Sequence, residues 1–583
     1  MARTHLLASV RRLLREHQLA QKTGLPIEEI RAGPYSTGGS SQARTISRRE
    51  FIAGVAATTA VAMLPSVLKG NSWAAAPPRL AIIGGGIAGL TAALTLADAG
   101  LPSTVYEASE TMIGGRMQTV RGLPESVSCG MCHEVKGRPA GFSWSDKQYT
   151  DPFGELIDTN HTTMLSLAKR FSLPLIDLIG AQPPGSTDTY YFLGQHYSKA
   201  QADADFAALY PKLRADLRAA GYPTAYNRST PAGRTLDSMS IYDWIESRVE
   251  GGHDSPLGGL LDAAYNIEYG ADTTDQSALN LIYLLAYNNP SRLSIYGESD
   301  ERYRIDGGAD LLPKTMAKYL GKESTVQLGW RLEAIARSGG SYILSFNDRR
   351  EIIADLVVLA LPFAVLRTLD YSKAGFDFLK IKAIQELGAG RNGKMHLQFT
   401  NRYWNESGSN GNTYADTGYQ CTWDATRGQM GEHGILVNYT GGSVAESMRL
   451  KHPYGDAAND THVLADAQNF LAQIEPVFPG ISSTWNGKAD GSLAHLNPLW
   501  NSSYCYWRVG QCQTIAGYEG VRQGNVFFAG EHTSLDFQGW MEGAASSGVR
   551  AAKEILATLK KTGFAGLPSI FPAYRLPTWA EMG

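Results

Sequence analysis

A glycine-rich turn near residue 84 constrains the fold of this 583-residue chain more than any other part of its sequence. Residues 79–83 form a short pattern typical of a buried strand, with four apolar residues after Arg79, and they lead into Gly84-Gly85-Gly86-Ile87-Ala88-Gly89. An Ala- and Leu-rich helix pattern follows over residues 90–99, and a second strand pattern ends at Glu107. The G-x-G-x-x-G spacing in this strand–turn–helix setting predicts a dinucleotide-binding α/β fold.

Each position of this turn has its own physical role. Gly84 permits the tight turn, Gly86 lets the backbone approach a pyrophosphate, and Gly89 allows close packing of helix on strand. Ala88 lies at the start of the helix, where backbone N–H groups attract negative charge. The Glu107 carboxylate would accept hydrogen bonds from the ribose hydroxyls, and its negative charge would disfavour a 2′-phosphate there.

Further segments match the rest of such a site. Gly114-Gly115-Arg116 follows the second strand, and in two-dinucleotide-binding flavoproteins this segment touches the FAD diphosphate. Near the other end, a strand pattern runs into Gly530-Glu531-His532, and Gly539-Trp540-Met541 opens a helix whose N-terminus can favour an anionic, reduced flavin. FAD is the predicted cofactor, and its predicted contacts are Gly84, Gly86, Ala88, Gly89, Glu107, Gly115, Arg116, Leu332, Gly530, Glu531 and Met541.

These features, from residue 79 to about 560, resemble the flavin amine oxidase family of monoamine, polyamine and L-amino-acid oxidases. The resemblance implies the α/β fold class with two discontinuous domains. One is a two-dinucleotide-binding, Rossmann-like FAD domain of the GR2 type. The other is a mixed α+β substrate domain. The predicted segments are 77–157, 298–368 and 497–562 for the FAD domain, 158–297 and 369–496 for the substrate domain, and 563–583 for a C-terminal tail.

Three positions match the catalytic pattern of that family. Lys394 takes the place of the lysine that holds a water near flavin N5, where its ammonium could also assist reoxidation by O₂. Trp540 and Tyr506 take the places of two aromatic walls that steer an amine toward the flavin, with Trp507 as an alternative to Tyr506. The resemblance implies removal of a hydride equivalent from an amine, hydrolysis of the imine, and release of H₂O₂.

The sequence departs from the L-amino-acid oxidases at the position expected to bind a carboxylate. Those enzymes use an arginine where this chain has Ile157, so a carboxylate would need another arginine such as Arg402 or Arg508. Glu155 and Asp158 instead favour a cationic amine or a basic amino acid as substrate. Asp158 could alternatively cap a helix that begins near residue 159.

A second departure is Cys129-Gly130-Met131-Cys132-His133, the attachment motif of c-type haem. Haem c at Cys129, Cys132 and His133 would make the protein a dehydrogenase that passes electrons to a cytochrome. A local disulfide or redox pair, or plain thiols in a surface loop, are the alternatives. No spacing typical of metal ligands occurs elsewhere.

Residues 1–76 are predicted to be a leader. Ser47-Arg48-Arg49-Glu50-Phe51-Ile52 precedes a weak apolar run that ends at Ala74-Ala75-Ala76, which resembles a twin-arginine export signal. The run is short for a membrane span, so we expect a periplasmic or secreted protein without a stable span in its mature form. The leader carries a net charge of +6, which leaves −9 on the remaining 507 residues.

Composition and charge exclude some classes of protein and of binding partner. An apolar content of 43% excludes a disordered protein, and the small net charge argues against a nucleic-acid partner. The expected partners are a small amine or amino acid and either O₂ or a cytochrome, and a homodimer is left open. A carotenoid or porphyrinogen desaturase and an exported flavocytochrome are the competing functions.

Two helices and a strand are predicted in the substrate segments. Phe206, Leu209, Leu213 and Leu217 lie at helical spacing within residues 200–221. A second apolar helix is predicted over 279–287, and a strand over 434–439.

Overall fold

The computed structural model describes residues 77–121, 143–321 and 324–561, which form 22 strands and 13 α-helices. The strands are β1 (Leu80–Ile83), β2 (Thr104–Tyr106), β3 (Val120–Arg121), β4 (Tyr149–Thr150), β5 (Leu175–Asp177), β6 (Thr187–Phe192), β7 (Gln195–Tyr197), β8 (Tyr303–Ile305), β9 (Thr325–Gln327), β10 (Leu332–Ser338), β11 (Ser341–Phe346), β12 (Arg350–Ala354), β13 (Leu356–Leu359), β14 (Gly388–Ala389), β15 (Asn392–Phe399), β16 (Ser409–Ala415), β17 (Cys421–Asp424), β18 (Gly434–Gly441), β19 (Tyr454–Asp456), β20 (Trp485–Leu493), β21 (Cys505–Tyr506) and β22 (Val526–Phe528). The helices are α1 (Ile87–Asp98), α2 (Thr162–Arg170), α3 (Lys199–Ala220), α4 (Pro231–Asp237), α5 (Ile241–Arg248), α6 (Pro256–Tyr269), α7 (Ala278–Leu285), α8 (Leu311–Leu320), α9 (Phe363–Leu366), α10 (Phe378–Glu386), α11 (Gly442–Glu446), α12 (Thr461–Ile474) and α13 (Met541–Lys561).

A five-stranded parallel sheet carries the glycine-rich turn. Its strand order is β22-β13-β1-β2-β9, and every neighbouring pair is parallel. All residues of β1, β13 and β22 are buried, as expected for a parallel sheet whose two faces are covered. Helices α1 and α13 pack on each other, and their buried alanines, including Ala92 and Ala552, allow the backbones to approach closely.

The second large sheet is mixed and has eight strands, in the order β19-β20-β15-β18-β17-β16-β6-β7. Helix α6 packs on β18, β16 and β6, while α12 packs on β20. The core between α12 and the sheet is apolar and aromatic, with Leu397, Phe399, Trp404 and Phe470 almost completely buried. A three-stranded antiparallel sheet, β10-β11-β12, lies between α8 and β13 in the chain.

The predicted fold class is confirmed: the protein combines a parallel α/β sheet with a second, mixed sheet. The parallel sheet draws its strands from the segments predicted for the FAD domain, and the eight-stranded sheet from those predicted for the substrate domain. The domain boundaries themselves stay predictions. The predicted substrate-segment elements are present as α3, α7 and β18, and the four apolar side chains predicted to line one face of α3 are buried.

Three predictions concern residues that the structure does not describe. The leader over 1–76, the Cys129-Cys132-His133 motif and the C-terminal tail over 563–583 all lie outside the described ranges, so they stay predictions. Among the helices of the described ranges, none combines the length and apolar character that a membrane crossing requires.

Candidate active site

One cavity of about 720 Å³ joins the two sheets. It begins at the carboxyl ends of the parallel strands, where Ile83, Tyr106 and Ala360 line it, and reaches Lys394 of β15 in the eight-stranded sheet. Ligands of open α/β sheets bind at such carboxyl ends, and the volume lies within the range of small-molecule sites. The cavity is therefore the candidate active site.

The glycine-rich turn shapes the first end of the cavity. Gly84 has a φ of +107°, and a Cβ there would lie 2.7 Å from the carbonyl oxygen of Ala360. A Cβ on Gly89 would lie 2.0 Å from the oxygen of Gly84, so both positions require glycine for packing. A Cβ on Gly86 would meet no atom within 4 Å. Gly86 therefore leaves open space at the N-terminus of α1, as a closely approaching ligand needs.

Glu107 lies at the end of β2 and lines the same part of the cavity. Its two carboxylate oxygens accept hydrogen bonds from the backbone N–H of Gly85 (2.7 Å) and of Ser109 (2.8 Å). Burial raises the pKa of Glu107 despite these bonds. Each oxygen keeps a second acceptor position, so the predicted contact with ribose hydroxyls is chemically open. The predicted contacts Ala88 and Leu332 also line this end.

The predicted contacts from the two ends of the chain meet in the cavity. The Arg116 guanidinium lies 3.4 Å from Oε1 of Glu531 and donates to the Ser503 carbonyl. Oε2 of Glu531 accepts from the backbone N–H of Gly539 at 3.1 Å. Met541, the first residue of α13, lines the cavity, as do Gly115 and Gly530.

Lys394 is held in place by three protein acceptors. Its Nζ donates to the carbonyls of Asp151 (3.1 Å) and Phe153 (2.9 Å) and to Oε2 of Glu155 (2.9 Å). The same Nζ lies 4.9 Å from the centre of the Trp423 ring. An ammonium has three N–H groups, so these acceptors match all of them. A water beside Lys394 would have to share or replace one of these bonds.

A second buried cation supports this lysine. Arg304, which is fully buried, donates to Oδ2 of Asp151 at 3.2 Å and lies 3.4 Å from Oε1 of Glu155. Burial opposes the charged form of Glu155, but Lys394 and Arg304 outweigh it and lower the pKa of Glu155. Burial raises the pKa of Asp151, against the effect of Arg304. Glu155 is thus an ionised carboxylate with both oxygens beside a cation.

One row of residues across the eight-stranded sheet lines the far wall of the cavity. In register, Ser492 of β20 pairs with Lys394, Lys394 with Tyr439 of β18, Tyr439 with Cys421 of β17, and Cys421 with Tyr414 of β16. All five residues line the cavity. Residues paired across neighbouring strands present their side chains on the same face, so a single row supplies the lysine and much of the wall.

Aromatic rings surround the part of the cavity next to Lys394. The Trp423 and Tyr439 ring centres lie 5.2 Å apart. Tyr504 donates its hydroxyl to the Ile267 carbonyl at 2.7 Å, so the 2.9 Å bond between the hydroxyls of Tyr439 and Tyr504 is donated by Tyr439. Trp540, the first predicted wall, lines the cavity.

The structure places the second predicted wall outside the described cavity. Tyr506 lies over Gly388 and donates its hydroxyl to Asp275, and neither Tyr506 nor Trp507 lines the cavity described here. The indole N–H of Trp507 is bound to Glu519 at 2.8 Å. Tyr504 lines the cavity instead, because the chain enters β21 only at Cys505 and the alternation of sides does not continue back from Tyr506.

Asp158 and the alternative arginines also lie away from the cavity. Helix α2 begins at Thr162, and Asp158 neither caps it nor lines the cavity. Its carboxylate accepts from Ser299 Oγ and from the backbone N–H of Glu301. In the described ranges, Arg402 and Arg508 do not line the cavity either.

Two acidic residues were missed by the sequence reasoning. Glu268, near the end of α6, and Glu301, just before β8, both line the cavity with Tyr296. The signal for Glu268 is its charge in a largely apolar helix, whose other acidic residue is Asp262. We find no sequence signal for Glu301, since charged residues flank it on both sides.

Comparison with known proteins identifies the family. Residues 87–556 match the family model described as flavin-containing amine oxidoreductase. The chain belongs to this family. It is 25% identical to a putative L-amino-acid oxidase of Bacillus subtilis (strain 168), covering 85% of this chain and 98% of the relative. It is 24% identical to polyamine oxidase 2 of Arabidopsis thaliana, covering 82% of this chain and 88% of the relative.

Solved structures of amine oxidases share the fold of this amine oxidoreductase. Cyclohexylamine oxidase from Brevibacterium oxydans IH-35A superposes with a TM-score of 0.68 at 20% identity, covering 83% of this chain and 100% of that structure. Putrescine oxidase bound to putrescine gives 0.65 at 18% identity, covering 82% and 99%. The predicted class of enzyme, a flavin-dependent oxidoreductase, is confirmed by the family match.

The residues of this amine oxidoreductase fit FAD, the cofactor that its family implies. Gly86 leaves space at a helix N-terminus, Glu107 offers acceptors at the end of β2, and Arg116 supplies a cation. His532 lines the cavity, and neither of its buried ring nitrogens has a hydrogen-bond partner in the described protein. Burial lowers the pKa of His532, so its imidazole is neutral and available to a bound group.

Proposed function

We propose that this enzyme oxidises a cationic primary amine to an imine, which water then hydrolyses, and that O₂ reoxidises the flavin with release of H₂O₂. The composition of the cavity carries this proposal. Glu268 and Glu301 lie in the part lined by Tyr296, Tyr414 and Tyr439. The arginines that line the described cavity, Arg116 and Arg331, lie with the predicted cofactor contacts, next to Glu531 and Leu332.

Charge and ring faces would select the substrate. Carboxylates in a partly buried, aromatic site attract an ammonium more strongly than they would in water, because screening is weak there. The faces of Trp423, Tyr439, Tyr504 and Trp540 add cation–π attraction. Among the described residues, an α-carboxylate finds no unpaired cation in this part of the site, since Glu155 already pairs with Lys394. Amines without a carboxylate are therefore favoured over α-amino acids.

Bound FAD would supply the acceptor for two electrons and the hydrogen of the substrate carbon. The protein would stabilise the negative charge that this transfer creates. Lys394 brings a fixed positive charge to the cavity, and the N-terminus of α13 at Met541 adds its partial positive charge. A water held at Lys394 stays part of the proposal and requires exchange with one of the three protein acceptors.

The competing functions each lack support from the cavity. A desaturase binds an apolar substrate, which buried carboxylates would disfavour. An L-amino-acid oxidase with a displaced arginine would need an arginine that Arg402 and Arg508 do not supply. Electron transfer through haem c depends wholly on Cys129, Cys132 and His133, and we retain it only as an alternative acceptor route.

A panel of amines tests the function. The purified holoenzyme is assayed with benzylamine, cadaverine, putrescine, L-lysine and L-phenylalanine, and each is offered O₂ or cytochrome c as the acceptor. We expect H₂O₂ from the amines that lack a carboxylate. No turnover of any amine, together with turnover of a polyene or porphyrinogen, would refute the proposal. Reduction of cytochrome c in place of H₂O₂ release would favour the haem route.

We also propose export of the folded enzyme by the twin-arginine route. The Arg48-Arg49 pair before an apolar run supports this, because that route carries proteins already loaded with cofactor. Replacing both arginines by lysine keeps the charge and should leave the protein in the cytoplasm of a host that has this route. Unchanged appearance in the periplasmic fraction would contradict the proposal.

A further inference from the structure

Glu301 differs from the other acidic groups of the cavity in lacking a partner for its side chain. In the described ranges, no hydrogen bond or ion pair engages its carboxylate, although Glu301 lines the cavity beside Glu268, Tyr296 and Tyr414. Glu155 has Lys394 and Arg304 on its two oxygens, and Glu107 and Glu531 are bound by backbone N–H groups. A carboxylate without a partner in a binding cavity is available to a ligand.

The backbone of Glu301 is fixed by its neighbours. Its φ is +44°, a left-handed conformation that residues with a Cβ rarely adopt. Its N–H donates to Oδ1 of Asp158 at 2.8 Å, and Ser299 Oγ donates to the same carboxylate at 3.1 Å. On the other side, Oδ1 of Asp300 accepts from the N–H of Thr159 at 2.9 Å. Buried Asp158 therefore holds the turn that presents Glu301 to the cavity.

The charges around Glu301 favour its protonated form. Burial, followed by the negative charges of Glu268 and Glu155, raises the pKa of Glu301 to about 8, and Lys394 opposes this. The other groups that interact with it electrostatically are Asp300, Asp158, Arg427, Tyr296, Tyr414, Tyr439 and Cys421. Burial raises the pKa of these tyrosines and of Cys421, so they are neutral near pH 8.

The proposed reaction needs a proton acceptor at this place. An alkyl ammonium in water has a pKa of roughly 10, so the substrate arrives protonated at neutral pH. Its nitrogen must lose a proton before its lone pair can form the C=N bond. A general base works best when its pKa lies near the working pH, and such bases contribute roughly 10²–10⁴ in rate.

We propose that Glu301 is the catalytic base that removes this proton, an inference that rests on the proposed function. The ammonium binds as an ion pair with the Glu301 carboxylate. One N–H bond then breaks and one O–H bond forms, so that the pair becomes a neutral amine and a neutral carboxylic acid. No charge is left unpaired in the cavity before the carbon–hydrogen bond breaks.

The pH dependence of kcat/KM for an amine tests this role. In the wild type we expect activity to rise as pH increases through about 8, where Glu301 loses its proton. Glu301→Gln should lower kcat/KM about 100-fold at pH 7.5 and move the rise to roughly pH 10, where the amine loses its own proton in water. Glu268→Gln is the matched control, because it removes a neighbouring negative charge but keeps the base. In this variant kcat/KM should increase at a lower pH than in the wild type. A wild-type profile in Glu301→Gln would overturn the role of Glu301 while leaving the proposed function intact.

Binding of a cation whose nitrogen carries no hydrogen gives a second readout, which is independent of turnover. Benzyltrimethylammonium can be neither deprotonated nor oxidised by this route, and its binding to holoenzyme is measured by the change in flavin absorbance. Between pH 7 and pH 9 we expect its Kd to fall by about tenfold in the wild type and to stay constant in Glu301→Gln. Equal pH dependence in both proteins would overturn the proposal. If the wild type oxidises no amine, the proposed function fails, and the base role fails with it.

Discussion

Glu155 and Glu301 line the same cavity, yet their surroundings affect their charges in opposite ways. Glu155 lies between Lys394 and Arg304, which lower its pKa and keep it ionised. No cation of the described ranges pairs with Glu301, and burial with neighbouring acids raises its pKa. Two residues of one type can thus serve as a fixed counter-charge and as a proton acceptor. Their partners determine which role each can have.

Removing the cation beside Glu155 should have the largest effect. Lys394→Met leaves Glu155 with only Arg304, and breaking a buried ion pair costs about 3–5 kcal/mol in the free energy of unfolding. Loss of this positive charge from the cavity should also slow flavin reduction or reoxidation roughly 100-fold. The double variant K394M/E155Q should recover part of the stability but none of the rate. Urea unfolding and stopped-flow absorbance measure the two effects, and additive losses of stability would contradict the pairing.

The two glutamates should respond oppositely to pH when each is replaced by glutamine. The lowered pKa of Glu155 means that it stabilises the fold above the unfolded value of about 4.3 and loses this effect as pH falls through its folded pKa. E155Q should therefore lower Tm at pH 7, with a smaller difference below about pH 4.

For Glu301 the sign is reversed. Its folded pKa of about 8 exceeds the unfolded value, so the wild type loses stability as pH rises from roughly 4.3 to 8. E301Q lacks this loss, and its Tm relative to the wild type should increase between pH 5 and pH 9. Thermal unfolding of both variants between pH 3 and pH 9 checks the contrast, and parallel curves for E155Q and E301Q, each taken relative to the wild type, would refute it.

The smallest expected effect is a difference in KM between variants of Tyr504 and Tyr506. Tyr504→Ala removes a ring from the cavity and should raise KM for a cationic amine about fivefold, the equivalent of about 1 kcal/mol of cation–π attraction. Tyr506→Ala removes the bond to Asp275 and a buried ring outside the cavity, so it should lower Tm and leave KM within about twofold. The reverse pattern in steady-state kinetics would restore Tyr506 as the wall of the substrate site.

The cofactor end of the cavity could be predicted because short segments encode it. The positions of Gly84, Gly86, Gly89 and Glu107 follow from one strand–turn–helix unit whose geometry depends on local sequence. Arg116 and Glu531, far apart in the chain, were placed through the resemblance to a family, and they meet in the fold.

The substrate end depends on contacts that no local pattern records. Lys394, Tyr439 and Cys421 become neighbours only through the register of β15, β18 and β17. Glu301 has its orientation from Asp158, which lies 143 residues earlier in the chain. Tyr504 and Tyr506 differ by two positions, and alternation would put them on one side if the strand extended that far. The strand begins at Cys505, so this expectation fails.

The central claim is that the cavity accepts a cationic amine and rejects an α-carboxylate, and anaerobic reduction of the bound flavin tests it most directly. Cadaverine and L-lysine form a matched pair, since they differ only by that carboxylate. The loss of flavin absorbance after mixing reports the reductive step without any electron acceptor. We expect cadaverine to reduce the flavin at least 100-fold more efficiently than L-lysine, because the half-buried Glu268 and Glu301 line the cavity and, in the part of the chain that the structure describes, no unpaired cation lines it beside them. Faster reduction by L-lysine, or no reduction by either compound or by benzylamine, would contradict the account.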